Sequence, residues 1–368
     1  MNYKYRIEDL KKNLESLEDL VSFINIEKSL EDISLTHCFL IKNVIDLHKN
    51  EEGVEENKLL SSTCDIRESL KRTQDKKRCR GLYTFNNENS FYYIFGDIHS
   101  DSLSVIKFLD RIDFIKRVLN NEEICIIFLG DYVDRGHAPF KTIELILLLK
   151  YIFPKNVFLL RGNHDGGTLI SNDEYKLCVG RNEGTTDDDY FTALTFNKLK
   201  KMNMPLMLLE DYHRFFKSLC TIAFVKNGED IVMCVHGGIP RPQNDKYDFI
   251  EKLSDLCRES IVDSIGRTIV HNTLWSDPAE NLDMIRDGGR FYFYEHQFNE
   301  FLKKFSVSKI IRGHQAFCGG YKEFFNGRLI SIFSSGDIPN LKNDETAYNG
   351  MEPCILELNN GKYKVVRL

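Results

Sequence analysis

The sequence of 368 residues lacks several features that would assign it to a special class of protein. It has no apolar run of the ~18 residues that a membrane-spanning helix needs, and its charged first twelve residues do not resemble a secretory signal. A net charge of -6 argues against nucleic acid as a partner. The ten cysteines include no CxxC pair, which favours reduced thiols in the cytoplasm over a disulfide framework. A hydrophobic content of 42% is sufficient for a globular core, so we expect a folded protein without a membrane span.

Proline is absent from the first 138 residues, so no proline interrupts the helical pattern near the N-terminus. Apolar residues recur there at spacings of three and four, and Ser29 with Asp32 predicts a capping box before a second helix. We interpret residues 1–88 as a helical segment that packs on a main domain of residues 89–368, with 51–58 as a polar linker. The alternative is a separate binding module. The short basic run at 71–78 is typical of a solvated face in an acidic chain.

Beyond residue 90 the sequence alternates between short apolar runs and helical patterns. The runs at 91–95, 124–129 and 156–160 are predicted strands, separated by helices, and this βαβαβ order predicts right-handed parallel pairing. Later apolar runs lack long helices between them, so we expect a second sheet with antiparallel character. Residues 166–205 are less regular, and the aspartates at 187–189 within them predict a solvated loop. The fold class is therefore α/β with mixed sheets.

Polar side chains beside glycines follow five of the predicted strands. A lone histidine in such a place is more commonly an ordinary loop residue, but the joint occurrence predicts a metal site, because every donor is oxygen or imidazole and none is a thiolate. Such donors suit manganese, iron or zinc. Two ions sharing one carboxylate can activate a water and clamp a phosphoryl group. In chain order, the residues are Asp97 and His99, then Asp131 as the expected bridge, Asn163 and His164, His236, and His314.

The ordered motifs resemble those of the phosphoprotein phosphatase (PPP) family of serine/threonine protein phosphatases, in the calcineurin-like metallophosphoesterase superfamily. The likeness covers about residues 91–340. It implies a central mixed β-sandwich flanked by helices, to which this chain adds the N-terminal helical segment. It also implies hydrolysis of phosphoproteins with two divalent metal ions, manganese first and iron or zinc as alternatives. The motifs that carry it are Gly96–His99, Gly130–Gly136, Arg161–His164, His236–Gly238, Trp275–Pro278 and Arg312–Gln315.

The resemblance implies a metal-ligand set at the strand ends. A hydroxide held between the two ions would attack phosphorus directly, with no phosphoenzyme. The first ion would be held by Asp97, His99 and Asp131, and the second by Asp131, Asn163, His236 and His314.

The resemblance also implies the residues that handle substrate. His164 would protonate the leaving oxygen, and Asp134 would orient it, because a neighbouring carboxylate favours the cationic imidazole. Arg135 would clamp the phosphate with help from Asn163. The second phosphate-binding arginine would be Arg290, with Arg286 as the alternative.

The chain departs from the family pattern at three places, and the divergent loop at 334–338 keeps other activities open. Ser100 and Asp165 replace the family's usual glycine and glutamate, and Ile338 stands where an active-site tyrosine is expected. A tyrosine-directed phosphatase or a dinucleoside tetraphosphate hydrolase of the same fold therefore remain alternatives. An inactive phosphoprotein-binding scaffold is a third, disfavoured because all predicted ligands are present. The implied partners are a phosphoprotein substrate and a regulatory protein. The composition is typical of an AT-rich microbial genome, which leaves export to another cell as an alternative to a cytoplasmic localisation.

Overall fold

Two β-sheets pack face to face at the centre of the protein, and helices cover their outer faces. The computed structural model describes residues 3–280, 290–336 and 351–368. The strands are β1 (Lys77–Cys79), β2 (Leu82–Phe85), β3 (Phe91–Phe95), β4 (Ile124–Phe128), β5 (Val157–Leu159), β6 (Thr168–Ser171), β7 (Glu174–Lys176), β8 (Ile222–Asn227), β9 (Asp230–Val235), β10 (Asp277–Pro278), β11 (Tyr292–Phe293), β12 (Lys309–Arg312), β13 (Tyr321–Phe324), β14 (Leu329–Ile332), β15 (Cys354–Asn359) and β16 (Lys362–Arg367).

The helices lie mostly in the N-terminal half of the chain. Across the described ranges none is both long and apolar enough to cross a bilayer. All ten cysteines lie within those ranges and carry free thiols. The helices are α1 (Tyr3–Asn13), α2 (Leu17–Ile24), α3 (Leu30–Asn50), α4 (Val54–Leu60), α5 (Ile66–Leu70), α6 (Ser102–Arg111), α7 (Phe114–Leu119), α8 (Pro139–Ile152), α9 (Phe191–Lys201), α10 (Met207–Lys217), α11 (Ile269–Trp275) and α12 (Glu295–Phe305).

The first sheet has five strands in the order β16-β15-β3-β4-β5. Strands β3, β4 and β5 are parallel, which confirms the predicted βαβαβ unit and places β4 in the middle of the three. Every residue of β4 is buried, as expected for an apolar run covered on both faces. The C-terminal hairpin of β15 and β16 adds to the β3 edge by antiparallel pairing, a long-range contact that local patterning does not predict.

The second sheet has seven strands in the order β1-β2-β8-β9-β12-β14-β13. The expected antiparallel character is present in the pairs β1–β2, β8–β9 and β13–β14. The remaining pairs, β2–β8, β9–β12 and β12–β14, are parallel, so the sheet is mixed. Residues 77–85, within the segment expected to be helical, form its first two strands.

The N-terminal helices pack directly on α8 and α10. A buried ion pair joins Lys28 Nζ to Glu144 Oε1 of α8 at 2.8 Å. The buried imidazole of His37 on α3 lies with its Nδ1 2.6 Å from the hydroxyl of Tyr212 on α10. These contacts are desolvated and are accompanied by an apolar core that the N-terminal helices share with α8 and α10.

Two local expectations were wrong. Residues 51–58 are not a linker, because α4 begins at Val54 and the buried Glu56 accepts a hydrogen bond from the backbone N–H of Gln74 at 3.3 Å. The 166–205 segment is also more ordered than expected: it contains the β6–β7 hairpin, a 3₁₀ turn at Asp187–Asp189 and helix α9. Asp189 is buried and not solvated, since its carboxylate accepts from the N–H of Thr186 at 2.7 Å.

Candidate active site

The predicted site residues converge at one end of the sandwich. Strands β3, β4 and β5 deliver their following loops to the same edge because they run parallel. The parallel strands β9 and β12 do the same from the second sheet. The structure brings eight side chains together there, and all but His314, at the edge of the group, belong to residues that are at least nine-tenths buried. The seven buried residues are Asp97, His99, Asp131, Asp134, Asn163, His164 and His236.

Several site residues have a left-handed backbone conformation that non-glycine residues seldom adopt. Such conformations cost about 1–3 kcal/mol each and cluster at functional sites, where the surrounding fold maintains them. Here they turn the side chains inward at the strand ends. The residues are His99 (φ 43°), Asp131 (φ 53°), Asp134 (φ 67°), Arg135 (φ 68°) and His314 (φ 71°).

The first group of donor atoms gathers around His99. Its Nδ1–H donates to the carbonyl of Val133 at 3.0 Å, which leaves Nε2 with a lone pair. That Nε2 lies 3.7 Å from Asp97 Oδ2 and 3.6 Å from Asp131 Oδ2. Asp97 Oδ2 is buried and has no hydrogen-bond partner among the described residues, and burial raises the pKa of Asp97 to about 6.

The second group shares Asp131 with the first. His236 Nε2 lies 2.7 Å from Asn163 Oδ1 and 3.4 Å from Asp131 Oδ2. His314 Nδ1 lies 2.8 Å from the same amide oxygen. An amide oxygen, a carboxylate and two imidazoles therefore face one point, and Asp131 Oδ2 is the atom common to both groups.

Two sets of donor atoms at this site fit divalent ions, and the first of them contains His164 in place of Asp97. The sets His99–Asp131–His164 and Asp131–His236–His314 each place their donor atoms within 4.8 Å of one another. Atoms this close and this buried are stabilised when one cation lies between them, and hard oxygen with imidazole nitrogen suits first-row divalent metals. The chain therefore carries candidate ligands for divalent metal ions, as expected for this donor set.

Ionisation of three donors suits metal binding, which needs deprotonated ligands, whereas the facing carboxylate of Asp131 outweighs burial and raises the pKa of His236. Burial alone would raise the pKa of Asp131, but the facing imidazoles of His236 and His164 hold it well below the usual range, so the carboxylate is ionised. Burial lowers the pKa of His99 and of His314 well below the ordinary histidine value, so both rings are neutral.

Two glycines explain how the carboxylates come so close to neighbouring backbone. A Cβ added at Gly162 would collide with the carboxylate of Asp131, and one at Gly313 would collide with the carboxylate of Asp97. Only glycine therefore fits at these two positions of the strand-end loops.

His164 is held by Asp134 and faces Arg135. The imidazole Nδ1–H donates to Asp134 Oδ2 at 2.7 Å, and the other oxygen of Asp134 accepts from the N–H of Phe191 at 2.7 Å. The Arg135 guanidinium spans two imidazoles, with Nη2 2.9 Å from His164 Nε2 and Nη1 3.1 Å from His99 Nε2. A cation that reaches both rings is placed to bind an anion between them.

Arg290 lies just before β11, in the small sheet of β10 and β11, and lines the same cleft. Its Nη1 donates to Asp277 Oδ2 at 2.8 Å, while the buried Arg312 donates to Asp277 Oδ1 at 2.7 Å. Sequence analysis assigned no role to Asp277, although it belongs to the Trp-Ser-Asp-Pro motif; the structure makes it the anchor of Arg290. Arg286 and Ile338 lie outside the described residues.

Asp165 is a second residue that sequence analysis left without a role. Its carboxylate accepts the N–H groups of Asp131 at 2.7 Å, Tyr132 at 2.9 Å and Gly162 at 2.7 Å. Burial raises the pKa of Asp165 to about 7. By binding three backbone donors, Asp165 connects the loop after β4 to the loop after β5. The feature of the sequence that could have indicated this role is the position of Asp165 directly after Asn163 and His164.

Some of these groups line one cleft of about 420 Å³. One wall comes from residues 179–182, which follow the β6–β7 hairpin. No periodicity or motif in that stretch indicates the contact. The lining residues are Asp131, Arg135, Asn163, His164, Val179, Gly180, Arg181, Asn182, Trp275, Arg290, His314, Gln315 and Ala316.

Comparison with known proteins identifies relatives of this chain. The serine/threonine-protein phosphatase BSL2 of Arabidopsis thaliana is 27% identical over 249 residues, 66% of this chain and 22% of that protein, so the match spans about a fifth of the relative's length. A Saccharomyces cerevisiae protein serine/threonine phosphatase, described as similar to human phosphatase PP5, superposes with a TM-score of 0.54 at 17% identity, covering 89% of both chains. A cold-active protein-tyrosine phosphatase of a Shewanella species gives 0.48 at 16% identity, covering 78% and 82%.

The family comparison extends over most of the region that builds the site. The model of the calcineurin-like phosphoesterase family matches residues 92–318, which is more than half of the chain and includes all five strand ends. The predicted fold, a mixed sandwich flanked by helices, is confirmed by the same match and by the superposition on the yeast phosphatase. The chain belongs to the calcineurin-like phosphoesterase family.

Proposed function

We propose that this chain is a protein serine/threonine phosphatase of the PPP type, which hydrolyses phosphomonoesters with two divalent metal ions. One observation carries the proposal: a single cleft joins the shared donor set around Asp131, the His164–Asp134 pair and the guanidinium groups of Arg135 and Arg290. Metal ligands, a proton donor and phosphate-binding cations are the parts that phosphoryl transfer to water requires.

The proposed division of the donors between two ions is the one that the family resemblance implies. The first would be held by Asp97, His99 and Asp131, with Asp131 shared as the bridge. The second would be completed by Asn163 and the histidines that follow β9 and β12. When bound, the two ions would supply an activated water and neutralise charge on the phosphoryl group. Manganese is the proposed metal, with iron or zinc as alternatives, because the donors contain no thiolate.

Arg135 and Arg290 bind and orient the phosphate in this proposal. Their guanidinium groups lie in the same cleft and each can donate two parallel hydrogen bonds to phosphate oxygens. Arg290 is held by Asp277, which fixes where its charge lies. Asn163 contributes its amide group at the base of the cleft.

His164 supplies the proton to the leaving oxygen. Its Nδ1–H remains on the hydrogen bond to Asp134, so the proton that moves is one carried by Nε2. In this structure Arg135 donates to Nε2 at 2.9 Å, so the guanidinium must turn from Nε2 to the phosphate before that nitrogen takes a proton. The carboxylate of Asp134 stabilises the imidazolium before transfer, and the neutral ring left afterwards keeps its orientation.

The substrate class proposed is a phosphoprotein, and a regulatory protein partner is proposed from the family resemblance alone. The test is a hydrolysis panel of phosphoserine, phosphothreonine and phosphotyrosine peptides with diadenosine tetraphosphate, after stripping the protein and reloading it with manganese. We expect the first two peptides to be preferred, and Asp97→Asn to serve as the inactive control.

Each other outcome points to one of the alternatives. Preference for phosphotyrosine or for the dinucleotide would replace the serine/threonine assignment with that substrate. Absence of hydrolysis with tight phosphopeptide binding would favour the scaffold. Lys176→Gln, on the exposed strand β7, is the matched control for an unrelated charge loss near the cleft.

A further inference from the structure

The wall of the cleft contains a third arginine that the proposed chemistry does not use. Residues 177–186, here named the cleft loop, connect β7 to the 3₁₀ turn at Asp187–Asp189. The loop places Arg181 and Asn182 in the cleft that also contains Arg135 and Arg290. The side chain of Arg181 is 44% exposed, so it lies at the mouth of the cleft and not at its base.

Arg181 is held in place from one side. Its Nη2 lies 2.6 Å from Asp187 Oδ1 and donates to the hydroxyl of Tyr175 at 3.1 Å. The guanidinium also lies over the ring of Tyr190, 5.3 Å from the centroid. These contacts fix the direction of the group before any ligand binds, which reduces the entropy lost on binding.

The loop is anchored to the catalytic region through Tyr190. The buried Tyr190 accepts the N–H of Asn182 at 2.7 Å, and its hydroxyl lies 2.9 Å from that of Thr185. The next residue, Phe191, donates its N–H to Asp134. The position of the cleft loop is therefore linked to the residue that orients His164.

The guanidinium retains donors for a ligand. An arginine has five N–H donors, and within the described ranges both recorded polar contacts of Arg181 use Nη2. Among the described residues, the only acidic group that lines the cleft is Asp131, which belongs to the metal-binding set. An anion at the cleft mouth would therefore share the guanidinium of Arg181 with Asp187, which contacts Nη2.

We propose that Arg181 reads a second anionic group next to the phosphorylated residue of the substrate, either a carboxylate or a further phosphate. This rests on the proposed protein phosphatase function and narrows its substrate class. A cleft of about 420 Å³ is roughly 9 Å across if taken as a sphere. An extended peptide advances ~3.3–3.6 Å per residue, so an acidic residue within about three positions of the phosphoresidue reaches the mouth.

The test compares three phosphothreonine peptides that differ only beside the phosphorylated residue: glutamate, glutamine or phosphoserine. The wild-type kcat/KM should be higher for the two anionic peptides than for the glutamine peptide by roughly two- to fivefold, the size typical of an exposed ion pair. The comparison of the glutamate and phosphoserine peptides identifies which anion is preferred. The preference should shrink at high salt, because exposed charges are screened.

Two variants should move this preference in opposite directions. Arg181→Gln should bring the ratio between the glutamate and glutamine peptides to about one. Asp187→Asn should raise the ratio, because it removes the competing carboxylate while its amide oxygen can still accept from Asn197, now 2.9 Å away. Lys176→Gln should leave it unchanged. A merely structural role would instead lower turnover of all peptides alike in both Arg181→Gln and Asp187→Asn.

Binding of the same labelled peptides, followed by fluorescence anisotropy, separates this inference from the proposed function. If no peptide is hydrolysed but the anionic peptides bind more tightly and lose that advantage in Arg181→Gln, the phosphatase proposal fails and the role of Arg181 stands. If phosphothreonine peptides are hydrolysed and the glutamate and glutamine peptides bind and react equally, the role of Arg181 is refuted and the phosphatase proposal stands.

Discussion

The pairing of Asp134 with His164 makes a prediction about leaving groups. In Asp134→Asn the retained amide oxygen can still accept from the N–H of Phe191, so the fold around the site should survive. The new amide nitrogen faces His164 Nδ1 and can only donate to it. The ring must then carry its proton on Nε2 and can no longer share a charged hydrogen bond when it becomes imidazolium.

The expected loss follows from that hydrogen bond. Asp134 and His164 are buried and 2.7 Å apart, and a hydrogen bond to a charged group is worth about 1.5–3 kcal/mol. Since 1.4 kcal/mol is a factor of ten, hydrolysis of a phosphoserine peptide should slow by about 10- to 150-fold. An aryl phosphate such as p-nitrophenyl phosphate leaves without protonation, so its hydrolysis should change little.

The assay measures kcat/KM for both substrates in wild type and Asp134→Asn, with bound metal quantified by elemental analysis. His164→Ala should show the same contrast between substrates, because it removes the same proton donor. An equal loss on both substrates with unchanged metal content would refute the assignment of His164 as the acid. Loss of metal in Asp134→Asn would instead mean that the pair supports the metal centre.

Three further predictions concern other parts of the chain. Asp131→Asn should lower bound metal and turnover together because both donor groups share this carboxylate; full metal content in elemental analysis would contradict the bridge. Asp277→Asn should lower the free energy of unfolding by roughly 3 kcal/mol or more, because the buried Arg312 loses its counter-charge; thermal denaturation measures this effect. The same change should raise KM because it releases Arg290, which steady-state kinetics measures. Burial and neighbouring cations hold the pKa of His48 well below its ordinary value of ~6.5. Below about pH 6.5 the unfolded chain therefore binds a proton at His48 that the folded chain does not bind, so the stability of the fold decreases as the pH drops. His48→Gln should flatten that dependence in urea denaturation at pH 5 and 7.5, and an unchanged slope would assign it to other groups.

The features that could be predicted from sequence are those with local causes. Strand β4 reads as a buried parallel strand because six consecutive apolar residues have no alternation, and the structure buries every residue of the strand. The capping box of Ser29 and Asp32 is present as predicted, since it depends only on residues three apart. The strand-end donors could be recognised because parallel strands of one sheet end at the same edge.

The features that could not be predicted depend on distant contacts. The pairing of β15 with β3 joins residues more than 250 positions apart, and no turn or spacing encodes it. Helix α4 was missed because its polar residues suggested a segment exposed to solvent. Glu56 is in fact buried, and its carboxylate accepts a hydrogen bond from a backbone N–H group 18 residues away. Arg181 was missed for the same reason: its place in the cleft results from the packing of Tyr190.

The division of the candidate ligands between the two sheets has a thermodynamic consequence. Asp97, Asp131 and Asn163 follow strands of the five-stranded sheet, while His236 and His314 follow strands of the seven-stranded sheet. An ion held by residues of both sheets would act as a removable cross-link across the sandwich. A ligand that binds only the folded state stabilises that state by about 2.7 kcal/mol when its free concentration is a hundred times its Kd. The melting temperature should therefore rise with free metal concentration and fall on chelation, even when no substrate is present.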